Sequence, residues 1–211
     1  MRQLLAAIAR RLRPPTEVLQ GYEQPELVEV VFKKTLAYIP DQAWPEIAGA
    51  SSVLDFGGGC GLHYKQAKSP DVRWAVVDTP MMVARAAALA TDKLKFFAGI
   101  ADAADWLGDI DVMHSNGALQ YTPNPMQTLR ELCGLGARRM IWNRMALSEG
   151  TTESEIQSAL LSDNGPGRIF LLQEKTVRYA LIKIAERDFL NAHARYSLVA
   201  RGEDWFRFAL N

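Results

Sequence analysis

The densest chemical signal in the chain is one short run, Val53-Leu54-Asp55-Phe56-Gly57-Gly58-Gly59-Cys60-Gly61. An apolar stretch of strand length ends in an acid, glycines follow, and a helical pattern begins at Leu62. Glycine has no Cβ and tolerates positive φ, so such a chain turns tightly and brings its backbone against a ligand. In a parallel sheet this turn lies at the carboxyl edge, where ligands bind at the point of strand-order reversal. A plain glycine-rich connection is the simpler reading, but four glycines in five positions exceed what a connection needs. Spacing then narrows the ligand. Counted from Gly57 and Gly59, the third glycine of a dinucleotide GxGxxG would fall on Leu62, and no GxxxxGK[ST] phosphate loop is present. The pattern that does fit is D-x-G-x-G-x-G, with Asp55, Gly57, Gly59 and Gly61 on alternate positions.

A second acid closes the next strand, Trp74-Ala75-Val76-Val77-Asp78, 23 residues after Asp55. A carboxylate placed there accepts hydrogen bonds from both hydroxyls of a ribose and repels an adjoining phosphate. It also reads as an acid stabilised by the N-terminus of the following helix.

The alternate-glycine pattern closely resembles the first motif of S-adenosylmethionine (SAM)-dependent methyltransferases of the Rossmann-like, class I type. The resemblance covers roughly residues 50–145 and, more loosely, the rest. It implies that Gly57, Gly58, Gly59 and Gly61 back the amino-acid half of SAM, with Asp55 suited to a cofactor that carries an ammonium group. It further implies that Asp78 holds the ribose and that Thr79 and Met81 line the adenosine, although Met81 and Met82 also read as core. Ala101 and Asp102 would meet the adenine, helix capping being the other reading of Asp102. Ser115 and Asn116 would flank the methionine portion and the transferred methyl. The run Gly117-Ala118-Leu119-Gln120-Tyr121, with Gly21-Tyr22 upstream and residues 57–64, is similar to a smaller group of methyltransferases of unassigned substrate.

SAM carries its own driving force in a sulfonium-bound methyl, so a protein of this type mainly aligns a nucleophile and excludes water. A hydroxyl or amine nucleophile also needs a proton acceptor within hydrogen-bond reach. His63, Tyr64 and Tyr121 border the expected site and are the candidates. Each lone histidine also reads as a satisfied structural residue. Strand alternation turns His114 away from the pocket, and His193, at the end of a late helix, reads as a partner of the helix dipole. Arg144, after Trp142-Asn143, offers a fork for an acceptor carboxylate or phosphate, with surface pairing as the alternative.

These residues need a scaffold. Short, nearly continuous apolar runs predict strands over 52–56, 72–78, 94–97, 111–115 and 139–143, separated by helices over 62–67, 81–90, 101–106 and 125–135. A polar excursion with Gly165-Pro166-Gly167 follows, then a long helix over 176–192 and two strands over 196–200 and 205–209. The expected fold is α/β: a Rossmann-like, doubly wound, mostly parallel seven-stranded sheet with helices on both faces. An N-terminal helical extension, 1–48, would cap a methyltransferase domain over 49–211. It comprises a basic amphipathic helix over 1–13, stopped by Pro14-Pro15, and a second helix over 25–38. The first of these suits packing on the domain or on a second copy, giving a homodimer; a membrane surface is the rival reading. Those helices and the 148–171 excursion are the expected cover of an acceptor pocket.

Composition excludes several alternatives. With 24 basic and 24 acidic side chains, the chain has no overall cationic surplus for nucleic-acid phosphates, and no nucleic-acid partner is expected. Cys60 and Cys133 form no ligand-like spacing with His63, His114 and His193, so no metal is expected. No apolar run is long enough for a membrane span, and free thiols point to the cytoplasm. The reading is a SAM-dependent methyltransferase acting on a small-molecule or sugar-like acceptor, yielding S-adenosylhomocysteine. Oxygen is preferred as the acceptor atom because Asp78-Thr79-Pro80 resembles the corresponding stretch of some small-molecule O-methyltransferases. The rivals are a non-catalytic SAM- or nucleoside-binding regulator or assembly subunit, and a nicotinamide-dependent oxidoreductase.

Overall fold

The computed structural model describes residues 18–40, 44–69 and 71–211. In chain order the strands are β1 (Val18–Gln20), β2 (Ser52–Phe56), β3 (Arg73–Val77), β4 (Leu94–Phe97), β5 (Val112–Asn116), β6 (Arg139–Asn143), β7 (Leu147–Ser148), β8 (Glu153–Leu160), β9 (Thr176–Ala185), β10 (Tyr196–Arg201) and β11 (Phe206–Leu210). The α-helices are α1 (Pro25–Ala37), α2 (Leu62–Ala67), α3 (Pro80–Ala86), α4 (Ile100–Leu107), α5 (Pro125–Gly134) and α6 (Glu186–Ala192).

Seven strands form the main sheet in the order β10-β11-β6-β5-β2-β3-β4. All its pairings are parallel except those of β11, which runs antiparallel to both β6 and β10. From β2 the chain steps outward through β3 and β4, then returns to place β5 on the other side of β2. The order therefore reverses between β2 and β5, and the carboxyl ends of these two strands flank the crevice that a doubly wound sheet offers to a ligand.

Side-chain alternation divides the core into two faces. Leu54, Met113, Met140 and Trp142 pack with Ala103 and Leu107 of α4, Leu129 and Leu132 of α5 and Phe189 of α6. Val53, Trp74, Val76, Val112 and Ile141 pack on the opposite face with Ala67 of α2 and with Ile47. The central strands are buried on both sides, which explains why they read as apolar runs without alternation. A third cluster joins Leu27, Val30 and Phe32 of α1 to Met82 and Ala86 of α3. Helix α1 begins with Pro25 at a position where its missing N–H costs nothing.

The chain over 176–192 is not one helix. Residues 176–185 form β9, and only Glu186–Ala192 is helical. Val177, Tyr179 and Leu181 are buried while Arg178 and Ala180 are exposed, a period of two that covers one face of a strand. The excursion contains β8, antiparallel to β9 from Glu153↔Lys183 to Leu160↔Thr176. Strand β1 joins β9 in parallel at Val18↔Thr176, and β7 joins it at Leu147↔Ile184. These four strands make a second, smaller sheet that the sequence reading lacks. The 1–13 helix lies outside the described residues. No described helix is long and apolar enough to cross a membrane.

His193 also differs from its expected role beside the helix dipole. It is buried: Phe189 O faces its Nδ1 at 2.8 Å, and Trp142 Nε1 donates to its Nε2 at 2.9 Å. Burial pushes its pKa down to about 4, so it is a neutral bridge between two core elements rather than a cation. Because the folded-state pKa is depressed, the stability linked to this group is present above the ordinary histidine value near 6.5 and is lost as pH falls toward 4. Chemical unfolding should show an acid loss of about 3 kcal/mol across that window. The slope should flatten in His193→Gln; an unchanged slope would assign the acid loss elsewhere.

Candidate functional site at the switch point

The glycine turn is held by both neighbouring strands. Gly57, at φ 73°, donates its N–H to Val77 O at 2.8 Å. A Cβ at this position would lie 2.0 Å from the Cβ of Ala118, so the turn is pressed directly against the β5 exit. A Cβ on Gly58 would lie 2.3 Å from Asp55 Oδ2. Gly59 is open by comparison: its Cβ would reach only Val31 of α1, at 3.6 Å. Gly61, also at positive φ, begins α2 over Leu94 and Phe96.

Asp78 sits at the β3 exit and faces this turn. Its Oδ2 accepts the Gly59 N–H at 2.8 Å and its Oδ1 the Thr79 N–H at 2.7 Å. Burial pushes the Asp78 carboxyl above the ordinary range, opposed by those two backbone bonds and reinforced by the charge of Asp55. Thr79 stands just before α3, whose first residue is Pro80, and its backbone carbonyl accepts from the Val83 N–H at 2.9 Å with no side-chain cap bond. Met81 is half-buried against the α1–α3 cluster, and Met82 is buried with Cys60 Sγ 3.4 Å from its sulfur. Ala101 and Asp102 lie exposed in the first turn of α4, where the helix has no side-chain cap.

Asp55 points into the protein. It is fully buried, and β2–β5 register sets it opposite His114. Its Oδ1 lies 2.8 Å from His114 Nδ1, its Oδ2 lies 2.9 Å from His63 Nδ1, and Oδ2 also accepts from Trp74 Nε1 at 3.2 Å. Burial alone would raise this carboxyl; its electrostatic interaction with His63 and the hydrogen bonds of His114 and His63 outweigh it and hold the group well below the usual range. His114 is itself pushed down, first by burial and then by His63. The three residues' ligand-type atoms lie within 4.8 Å of one another, a convergence the linear spacing of the histidines concealed. The contacts between them have hydrogen-bond lengths. Trp74→Phe should cost about 1–3 kcal/mol in urea unfolding, since it removes a donor from a buried carboxylate. A loss below half a unit of that scale would mean the indole bond is dispensable.

The β5 exit carries the remaining candidates. Ser115 is fully buried and Asn116 half-buried. Gly117 turns the chain against Arg144, whose guanidinium would lie 2.9 Å from a Cβ there. Arg144 has φ 50°, and its backbone carbonyl accepts from Gln120 Nε2 at 3.0 Å. Tyr121 meets two tyrosines from other elements. Tyr22, just after β1, stacks on Tyr179 of β9 with centroids 4.3 Å apart, and both approach Tyr121 at 5.2 and 5.7 Å. Tyr121 Oη donates to Gln157 Oε1 of β8 at 2.5 Å. Burial raises the hydroxyl pKa of all three, and the Arg144 charge partly offsets this at Tyr22 and Tyr121. Tyr64 lies away from this group, edge-on to Trp74 in the α2-side core.

Of the expected site residues, the fold brings Gly57, Gly58, Gly59, Asp78 and Thr79 together at the β2 and β3 exits. It groups Asn116, Tyr121 and Arg144 at the β5 and β6 exits, and His63 joins them through Asn116 Nδ2 at 3.2 Å. Ala101, Asp102 and Tyr64 have no contact with either group among the hydrogen bonds and ring contacts described above. Tyr22 and Tyr179 are additions. Their only sequence signal was a tyrosine following Gly21 and a period-two run, and neither locates them in space.

The chain matches no protein-family model and none of the curated proteins. Among solved structures it is similar to an amino pentose methyltransferase from Micromonospora echinaspora, involved in calicheamicin biosynthesis and solved with SAM bound. That likeness has 14% identity, a TM-score of 0.53 and coverage of 100% of this chain and 98% of the other. A glycopeptide N-methyltransferase complexed with sinefungin gives 10% identity and a TM-score of 0.52, over 100% of this chain and 96% of that one. A sugar N-methyltransferase from Streptoalloteichus sp ATCC 53650 gives 14% identity and a TM-score of 0.50, over 90% and 89%. At these identities the likeness is one of architecture. The chain has the fold of the class I, Rossmann-like SAM-dependent methyltransferases.

Proposed function

We propose that the protein is a SAM-dependent methyltransferase acting on a small, sugar-like molecule. The observation that carries this reading is the Asp78 carboxylate at the β3 exit, held by the N–H groups of Gly59 and Thr79 beside a glycine open to approach. That arrangement suits a ribose: its hydroxyls can replace or share the backbone donors, whereas a phosphate would meet a like charge. Asn116, at the neighbouring strand exit, would lie toward the amino-acid end. When bound, SAM supplies a methyl group on a sulfonium sulfur, open to in-line displacement.

The chain's own residues then position an acceptor. Tyr22 and Tyr121, backed by the buried Tyr179, form an aromatic wall with Arg144 beside it, a surface suited to the faces of a small ring and to an anionic substituent. The Tyr22 and Tyr121 hydroxyls both stay protonated at neutral pH, and Tyr121 already donates to Gln157, so neither supplies a base. A neutral amine, already a nucleophile, needs less help there than a hydroxyl. The acceptor atom favoured by the site is therefore nitrogen, in place of the oxygen suggested by Asp78-Thr79-Pro80. In that segment Pro80 is the first residue of α3, and the Thr79 side chain makes no capping bond to it.

Titration calorimetry with SAM, S-adenosylhomocysteine and NAD tests the cofactor. Binding of the two sulfur compounds and not NAD is expected; NAD binding alone would turn the reading to an oxidoreductase. Methyl transfer from labelled SAM to a panel of paired amino and hydroxy sugars tests the acceptor. Transfer only to the hydroxy members would restore oxygen. SAM binding without turnover on any member would favour the regulator.

A further inference from the structure

One carboxylate, Asp55, feeds two arms of the same design. In the first, Asp55 binds His114 Nδ1, His114 Nε2 faces Asn143 Nδ2 at 3.3 Å, and Asn143 Oδ1 accepts from Arg207 Nη2 at 2.7 Å. In the second, Asp55 binds His63 Nδ1 and His63 Nε2 faces Asn116 Nδ2 at 3.2 Å. There the arm stops. Asn116 Oδ1 is closed off from solvent and has no partner among the described residues. A carboxylate against Nδ1 fixes the proton of a neutral imidazole on that nitrogen, leaving Nε2 with its lone pair. Nε2 can then only accept, so the amide must present its NH₂ to the ring and its oxygen the other way. The matched arm shows the intended end state, with Arg207 satisfying the asparagine oxygen.

We propose that Asp55 and His63 are positioning residues that hold Asn116 with its side-chain oxygen as an acceptor for the amino group of the bound cofactor. The inference rests on the methyl-transfer reading, and it assigns the acid at the end of β2 a task two residues removed from the ligand. The ligand's ammonium supplies what Arg207 supplies in the other arm: a cationic N–H donor to an amide oxygen. An unpaired buried carbonyl is unfavourable, and a bond to a charged donor more than recovers that loss.

Two measurements test it. The first needs no ligand: nitrogen-15 NMR of the native chain should show His63 protonated on Nδ1 and bare on Nε2, with the preference lost in Asp55→Asn. A proton on Nε2 in the neutral native ring overturns the relay, whatever the chain binds. The second is calorimetry with S-adenosylhomocysteine and with 5′-methylthioadenosine, which lacks the amino-acid portion. Asn116→Leu should weaken the first by about ten- to a hundredfold and leave the second unchanged. Asn116→Asp keeps an outward oxygen, its inner oxygen accepting from a His63 that takes a second proton on Nε2, and should bind S-adenosylhomocysteine at least as well as the native chain. Asn143→Leu, in the closed arm, should lower the melting temperature without changing affinity. If Asn116→Asp binds as poorly as Asn116→Leu, the group acts as a donor and the proposal fails. Equal weakening by Asn143→Leu would reduce the effect to general packing and overturn it as well. A native chain that binds neither compound but shows the expected His63 proton would break the cofactor assignment and leave the relay standing.

Discussion

Gly57→Ala should destabilise the fold by about 3 kcal/mol, the sum of two separate penalties. An L-residue held at φ 73° costs about 1–2 kcal/mol. The added methyl, 2.0 Å from the Ala118 Cβ, forces the β2 and β5 exits apart and costs a further 1–3 kcal/mol or so. A double-mutant cycle separates them. Ala118→Gly in the Gly57→Ala background should return the packing share and leave the backbone share in place, as read from urea midpoints at unchanged slope. Strict additivity of the two substitutions would mean that the two exits do not touch in solution. Because these exits border the proposed cofactor site, Gly57→Ala should also lose SAM binding, and the double variant should regain part of it.

Asp78→Ala should weaken SAM binding by about 1–3 kcal/mol through loss of charge-assisted hydrogen bonds to the ribose hydroxyls. Unchanged affinity by calorimetry would remove Asp78 from the site. The pH dependence follows from the direction of its shift. Burial raises the carboxyl in the free protein, whereas a ligand donating hydroxyls favours the ionised form. Binding therefore releases a proton as it draws Asp78 into ionisation, and affinity should rise as pH climbs through the elevated value of the free group. Below it, protonated Asp78 can no longer accept from both hydroxyls, and affinity should fall. In Asp78→Asn the affinity should be lower and this acid slope flat.

The main sheet was legible because local pattern and tertiary role agree in it. Strands 52–56, 94–97 and 139–143 stand at the residues the apolar runs indicated, since burial on both faces demands such runs. The stretch 176–192 misled for the opposite reason. Val177, Leu181 and Ile184 satisfy a helical spacing, and Val177, Tyr179 and Leu181 satisfy a strand spacing. What decided the matter was β8 and β1 arriving as pairing partners, a contact no window of sequence contains. The site divides along the same line. Asp78 and the glycines are consecutive features of strand–turn–helix units and could be found from the chain alone. The environment of Asp55 could not: His63, Trp74 and His114 reach it from a helix and two other strands. The tyrosine wall likewise draws Tyr22, Tyr121 and Tyr179 from three distant elements.

The small sheet is clamped to the main one at its root. Only residues 144–146 separate β6 from β7, Met145 is buried, and its N–H donates to Asp204 O at 2.8 Å. At the other side β9 runs straight into α6 with no loop, and Ile184 and Ala185 are sealed in the interior. Such a cover cannot swing as a hinged flap. It is held at the far end as well, where Leu161 and Val177 are buried with Leu27 and Val30 of α1, and β8 is exposed only from Glu153 to Ser158. A sheet fixed at both ends has little travel, so a crosslink between β8 and β9 should leave traffic through the cleft unchanged.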